Sequence, residues 1–260
     1  MLHGGDPRGF KTAMQRDQFQ SEVDIFLDCA SFADYCPNGL QVEGRDTVER
    51  IVTGVTASLA LIERAVALRA DAILVHHGYF WRGEDPRIVR QKRKRLGMLL
   101  AADISLFAYH LPLDAHCEVG NNVMLARRLG WSIEGRFGKQ QIGCLGAAPQ
   151  SNIGELAQAV ARGLGRAPLV VGDPASPVGP LAWCTGAAQD WIEEAWAAGA
   201  RTFVSGEISE PTAHFAREMG ITYLACGHHA TERDGIRALG DHLAQAYGLD
   251  HVFIDLDNPA

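Results

Sequence analysis

No stretch of this 260-residue chain carries the roughly 20 apolar residues that a membrane-spanning helix requires. The longest apolar stretches, such as Ala72 to Val75 and Ile104 to Tyr109, are the size of strands. The N-terminus, from Met1 to Gly9, lacks a basic segment followed by an apolar one, so no secretory signal is visible and a cytoplasmic location is expected. There is no Cys-x-x-Cys either. The six cysteines (Cys29, Cys36, Cys117, Cys144, Cys184, Cys226) lie far apart in a chain large enough to hold together without staples, and reduced, mostly buried thiols are expected. Nor is there an excess of positive charge. With 24 Lys and Arg against 31 Asp and Glu, the net charge of −7 argues against duplex nucleic acid as the main ligand. A Gly-x-x-x-x-Gly-Lys-Ser/Thr phosphate loop is missing as well.

What is present is a globular composition, 47% hydrophobic and 21% charged, which rules out a disordered or fibrous chain. Residues 1–13 show no apolar periodicity and are expected to form a flexible N-terminal extension. From Arg50 onward a regular alternation is predicted: a strand at Ile51 to Val55, a helix from Ser58 to Arg69 with the stripe Leu59, Ile62, Ala65 and Val66, a strand at Ala72 to Val75, a helix from Val89 to Leu100 and a strand at Ile104 to Tyr109. The order returns with strands at Leu181 to Cys184, Thr202 to Ser205 and Ile221 to Cys226 and helices at Asp190 to Ala198 and Thr212 to Met219. Such alternation is the mark of parallel βαβ units. The expected fold is therefore α/β and internally duplicated, with a first lobe over residues 14–135, a second over 136–260 and the site in the cleft between them.

In open α/β sheets, ligands bind beyond the carboxyl ends of the parallel strands. Those ends carry His76-His77, then His110 with Asp114 four residues on, then Ser205-Gly206-Glu207, then His228-His229 with Glu232 four residues after the first. Imidazole and carboxylate together suit zinc, iron, manganese or cobalt, and a carboxylate can bridge two such ions where a histidine cannot. Two lobes each bringing histidine and carboxylate to one cleft suggest a dinuclear site. Singly, a strand-end histidine more often bonds loop backbone.

Several neighbours admit two readings. His229 is a candidate general acid or base, or an ordinary loop histidine. Glu207 could hold substrate or activate water, or be a solvated carboxylate. Cys226 is expected to pack. Asn121 or Asn122 is expected to cap the helix that contains Leu125. Arg82 to Arg95 holds seven of the 24 basic residues, either a solvated helix face or the counter-charge for a phosphorylated substrate.

The motifs His76-His77-Gly78 followed by Tyr79-Phe80-Trp81, Tyr109-His110-Leu111-Pro112-Leu113-Asp114-Ala115-His116, Gly120-Asn121-Asn122 and Gly227-His228-His229-Ala230-Thr231-Glu232-Arg233, with Pro37-Asn38-Gly39-Leu40-Gln41-Val42, resemble the Nif-three-like family. Its members are dinuclear metal-centre proteins often described as GTP cyclohydrolase I type 2 homologues. The resemblance runs from about Gln15 to Asp255 and implies a pair of divalent ions held by His76, His77, Asp114, His228 and Glu232, with Glu232 as the bridge. It also implies a toroidal homohexamer of two interlocked lobes. His110 is not among the implied ligands and is expected to support them by hydrogen bonds. The long middle insertion of some members is absent, and functions tied to it do not transfer. The expected activity is metal-dependent hydrolysis, of the guanine imidazole ring of GTP or of a related nucleotide, phosphoester or cyclic amide. The alternative is a metal-binding scaffold or regulator that acts through protein partners.

Overall fold

The computed structural model describes residues 13–260, so the expected flexible extension over residues 1–13 lies, apart from Ala13, outside the described residues. A short strand β1 (Met14–Gln15) opens into α1 (Arg16–Phe26), which buries Phe19 and Val23 four residues apart on one face. Next come β2 (Gly39–Val42), β3 (Thr47–Val48), which pairs with β1, and β4 (Arg50–Thr56). The predicted alternation then follows as α2 (Leu59–Ala67), β5 (Ala72–His77), α3 (Arg90–Ala102) and β6 (Ser105–Ala108). Ser58 caps α2, its hydroxyl accepting the Leu61 N–H at 3.2 Å. The buried stripe of α2 is Leu61, Ile62 and Ala65, so the expected Leu59 and Val66 stand at its edges instead.

Two short helices, α4 (Leu111–Ala115) and α5 (Asn121–Leu129), lead to the hairpin of β7 (Ser132–Phe137) and β8 (Gly143–Ala147). After α6 (Ile153–Leu164) and β9 (Leu169–Val171) the second alternation runs β10 (Leu181–Trp183), α7 (Ile192–Ala197), β11 (Thr202–Ser205), α8 (Glu210–Met219) and β12 (Thr222–Ala225). The chain ends with α9 (His228–Tyr247) and β13 (Asp250–Phe253).

Besides the two-stranded β1-β3 sheet, the described strands form two α/β sheets, ordered β13-β4-β5-β6-β2 and β7-β8-β10-β11-β12-β9. In each, three consecutive strands run parallel, and the strand that precedes them in sequence lies antiparallel beside the third: β2 against β6, β9 against β12. This shared topology is the internal duplication. The lobes interlock in a way that a cut at residue 135 misses. That position lies inside β7, which belongs to the second sheet, while β13 returns to pair with β4 in the first.

Both faces of each sheet are covered. In the first, Leu74 and Phe107 meet α1 and α9 on one side, while Ile73, Val75 and Leu106 meet α2 and α3 on the other. The alternation reflects the two-residue period of a strand. Helix α9 starts at the carboxyl end of β12 in the second sheet but buries Ile236, Leu239 and Leu243 against the first. Each such side chain contributes ~1.5–3 kcal/mol, and α9 has no side-chain cap. Apolar packing therefore fixes where its first turn points. Among the described residues, no helix is long and apolar enough to cross a membrane.

Candidate metal centre

Five side chains from both lobes meet at the carboxyl ends of β5, β6 and β12. His76 and His77 close β5, and the flanking strands hold them from opposite sides: Nδ1 of His76 lies 2.9 Å from the Tyr109 carbonyl, and Nδ1 of His77 lies 3.2 Å from the Thr56 hydroxyl. His228 and Glu232 occupy one face of the first turn of α9, four residues apart. Nδ1 of His228 lies 2.7 Å from a Glu207 carboxylate oxygen. Every ring nitrogen facing away from the cluster thus has a partner. The three Nε2 atoms converge on Glu232, at 3.4 Å for His76, 3.3 Å for His77 and 3.2 Å for His228, and His76 Nε2 lies 3.5 Å from Asp114.

Those separations are long for hydrogen bonds and right for ligands. Two donor atoms each ~2.1 Å from one ion at a tetrahedral angle lie ~3.4 Å apart. Four trios of donor atoms converge among the described residues: His110 with His76 and His77, His110 with Asp34 and Cys36, and two that share a carboxylate and could each hold an ion, His77 with His228 and Glu232, and His76 with Asp114 and Glu232. Glu232 belongs to both. One of its oxygens, Oε2, is buried beside the Nε2 atoms of His77 and His228 without a well-formed hydrogen bond to either, an arrangement that an ion between them would relieve. Burial opposes charge on His76, but Asp114 and Glu232 outweigh it and push the imidazole up to about 9; Glu232 and Glu207 do the same for His228. Burial drives His77 down to about 3, helped by the imidazoles around it. Glu232 is held well below the usual carboxylate range despite burial, by His77 and His76. Asp114 is raised by burial. Such a set offers imidazole nitrogen and anionic oxygen in the mixture that transition metals prefer.

The family description Duf34/NIF3 (NGG1p interacting factor 3) matches residues 14–259. The chain belongs to the DUF34/NIF3 family. A Pseudomonas aeruginosa protein named GTP cyclohydrolase 1 type 2 homolog is 54% identical over 92% of this chain and 96% of its own. An Escherichia coli protein of the same name is 49% identical over 95% of this chain and 100% of its own. Among solved structures, protein ybgI, of unknown function, superposes with a TM-score of 0.90 at 48% identity, covering 95% of this chain and all 100% of that one. A Thermus thermophilus protein follows at a TM-score of 0.84 and 33% identity, with coverage of 95% and 100%.

In this DUF34/NIF3 chain the supporting residues differ from those expected. Asn121 does not cap α5, whose N-cap is Gly120. Fully buried, it gives its amide to Asp114 at 2.8 Å. Asn122 holds the Asp114 carbonyl, the Ile142 carbonyl and the Thr185 N–H, which ties α4 and α5 to the second sheet. Glu207, its side chain 43% exposed, also bonds His228 and so fixes the orientation of the imidazole. His229 points away: its Nε2 lies 3.1 Å from Asp255, and it lines cavities behind α9 rather than the cleft. One residue further along an α-helix is turned by about 100°, which aims His229 away from the face that His228 and Glu232 share. His110 was expected to hydrogen-bond a ligand, and its backbone carbonyl does take the Asp114 N–H at 3.1 Å, while its side chain gives Nδ1 to Asp34. Cys226 is buried with apolar neighbours, as expected.

Above the five residues lies a cleft of about 250 Å³, lined by Tyr35, His110, Lys139, Cys184, Thr185 and Trp191 among others, with Asp114, His228 and Glu232 in its wall. None of the seven cations of Arg82 to Arg95 lines it. Arg87 pairs with Asp85, Lys92 with Glu84, and Arg90, Arg93 and Lys94 are exposed. Among the described residues the cation that lines the cleft is Lys139, on the turn between β7 and β8, a segment in which the sequence carries no metal-ligand signature. Asp34 also escaped the sequence reading, because its partner His110 is 76 residues away.

Asp34 supports a prediction. Burial alone would raise its carboxyl, but the hydrogen bonds from His110, Asn38 and Leu111 prevail and hold it at about 2. An unfolded aspartate titrates near ~3.9. Ionised Asp34 therefore adds stability that is complete above about pH 4 and lost as pH falls through about 2. In urea denaturation, the stability gap between wild type and Asp34→Asn is expected to be full near pH 6 and to narrow steadily toward about pH 2.5. A gap that stays constant or widens on acidification would contradict the assignment.

Proposed function

We propose that the protein is a dinuclear metal-dependent hydrolase, with Glu232 bridging two divalent ions, His77 and His228 completing one set and His76 and Asp114 the other. The observation that carries this reading is the sharing of Glu232 between two ligand trios across the lobes. Bound divalent ions would lower the pKa of water and polarise a substrate oxygen. The chain's own residues supply the rest. Glu207, Tyr109 and Thr56 fix the three imidazoles, and Asn121 with Thr185 orients Asp114, the latter at 3.4 Å. Lys139 stands where it can meet an anionic group, and Tyr35 and Trp191 give the cleft flat apolar surface for a ring. The name carried by the relatives makes GTP the first nucleotide to try, followed by phosphoesters and cyclic amides. Zinc, iron, manganese and cobalt all suit the donors. We extend the proposal to a six-subunit ring; light scattering is expected to report a hexamer, and a monomer would count against it.

The test is elemental analysis and turnover on the same sample. Metal-loaded protein is expected to hold two ions per chain and to hydrolyse at least one member of the panel, with activity abolished by chelation and restored by metal. One ion or fewer per chain would sink the dinuclear reading. Turnover that survives chelation would sink the metal-dependent one. Lys139→Ala is expected to raise KM for a phosphorylated substrate by about tenfold with kcat nearly unchanged, the pattern of lost uniform binding.

A further inference from the structure

Beside the five clustered residues stands a carboxylate and imidazole pair that the metal reading does not use. His110 follows β6 with its Nδ1 2.8 Å from Asp34 Oδ1, and the Asp34 side chain is only 3% exposed. Each Asp34 oxygen accepts two donors: Oδ1 takes His110 and the Tyr35 N–H at 2.6 Å, Oδ2 takes Asn38 at 3.0 Å and the Leu111 N–H at 2.9 Å. Asn38 returns a bond to the His110 N–H at 2.8 Å. A carboxylate held from four sides cannot turn, so the proton of a neutral His110 sits on Nδ1 and leaves Nε2 as an acceptor.

The ring is placed for use. Its centroid lies 5.0 Å from that of His76 and 5.9 Å from that of His77, with Trp81 edge-on at 4.9 Å. Among the described residues, two imidazoles line the cleft, His110 and His228. His228 is taken up by Glu232 and Glu207. His110 belongs to two further groups of converging donors: one with Asp34 and Cys36, in which both Asp34 oxygens are already filled, and one with His76 and His77, which has no carboxylate and whose two other imidazoles each belong to a trio with Glu232.

We propose that His110 is the catalytic base of the cleft, taking a proton on Nε2 from the attacking water, with Asp34 as its positioning residue. The step balances within the site. The O–H bond of water breaks, its proton passes to Nε2, and the oxygen's electron pair forms the bond to the electrophilic carbon or phosphorus. The same proton then leaves Nε2 for the departing group, so no external acid or base is consumed. This rests on the hydrolase reading, and the test keeps the two apart.

The experiment compares wild type, His110→Ala, Asp34→Asn and His229→Ala, each full-length and metal-loaded, for metal content and for turnover of p-nitrophenyl phosphate. His110→Ala is expected to keep both ions and to lose about 10²–10³-fold in kcat with little change in KM, the range of general base catalysis. His229→Ala is expected to match wild type. A separate readout needs no turnover: in metal-free protein labelled with ¹⁵N-histidine, magic-angle-spinning spectra are expected to show His110 as the Nδ1–H tautomer, and Asp34→Asn is expected to populate Nε2–H. Loss of an ion in His110→Ala would make His110 a ligand and overturn the proposal, as would full activity in that variant. An Nε2–H tautomer in wild type would overturn the role of Asp34. A wild type that holds two ions but turns over nothing on the panel would remove the hydrolase reading, and the base role with it, while the tautomer result would still stand or fall by itself.

Discussion

Glu232→Gln is expected to strip the protein of the two metal ions proposed for it while leaving its fold intact. The substitution keeps the shape of the side chain, which is 3% exposed, and removes only the charge and one acceptor oxygen. Glu232 joins the trio of His77 and His228 to the trio of His76 and Asp114. Removing a residue that merely supports a ligand typically costs 10–100-fold in metal affinity, so loss of a shared ligand should cost each position more than about 100-fold. Elemental analysis after dialysis should then fall from two ions per chain to near zero. Circular dichroism guards against a trivial result, since the variant must retain the α/β spectrum. His229→Ala is the matched control: it lies on the same helical turn, but its Nε2 faces Asp255. Equal metal loss in the two variants would mean that the ligand has been placed on the wrong histidine of the pair.

Much of this site was legible in the sequence because its chemistry is local at each strand end. His76-His77, His110-x-x-x-Asp114 and His228-x-x-x-Glu232 announce themselves by residue type and spacing, and the alternation around them predicted where strands would stop. What spacing does not encode is direction. In an α-helix, 228 and 232 share a face and 229 does not, yet that deduction requires knowing that α9 begins at His228. Its apolar stripe of Ile236, Leu239 and Leu243 went unread as a helix, and so did the docking of that helix on the first sheet. Two glycines interrupt the stripe, Gly235 against Asn121 and Gly240 against His251. They mark close packing that only the folded chain displays.

The partners that escaped notice share one property, long sequence separation. Asp34 meets His110 across 76 residues, and Thr185 meets Asp114 across 71. A lone aspartate in a loop gives no sign of being buried among four donors. The crossover of β13 was hidden for a related reason: its pairing with β4 joins residues 200 apart, as Arg50 and Asp250 do. Composition had left two readings of Arg82 to Arg95, a solvated helix face or the counter-charge for a phosphorylated substrate. The folded chain pairs some of those charges with nearby acids and turns others to solvent.

Gly186→Ala is expected to empty the site more selectively than any change to the outer support. Gly186 has φ of +70°, and a Cβ built there would lie 2.1 Å from Glu232 Oε1 and 3.1 Å from His228 Nε2. The backbone has no room to retreat. The Gly186 N–H bonds Thr231 at 3.1 Å, and its carbonyl takes the Gly206 N–H at 2.8 Å and the Ser205 hydroxyl at 3.0 Å. The carboxylate must move instead, and it is the residue on which both trios depend. Two costs follow and can be separated. The left-handed backbone penalises any Cβ by roughly 1 kcal/mol, a modest loss of stability. The displaced Glu232 should lower metal content by more than about tenfold. Gly130→Ala separates the two, because Gly130 has nearly the same φ, +71°, with nothing within 4 Å of the added methyl. It is expected to lose similar stability in thermal melting and no metal. If Gly130→Ala sheds metal as readily as Gly186→Ala, backbone strain and not the contact with Glu232 controls loading. If Gly186→Ala retains both ions, the carboxylate has freedom that its packing denies, and its assignment as the bridge fails.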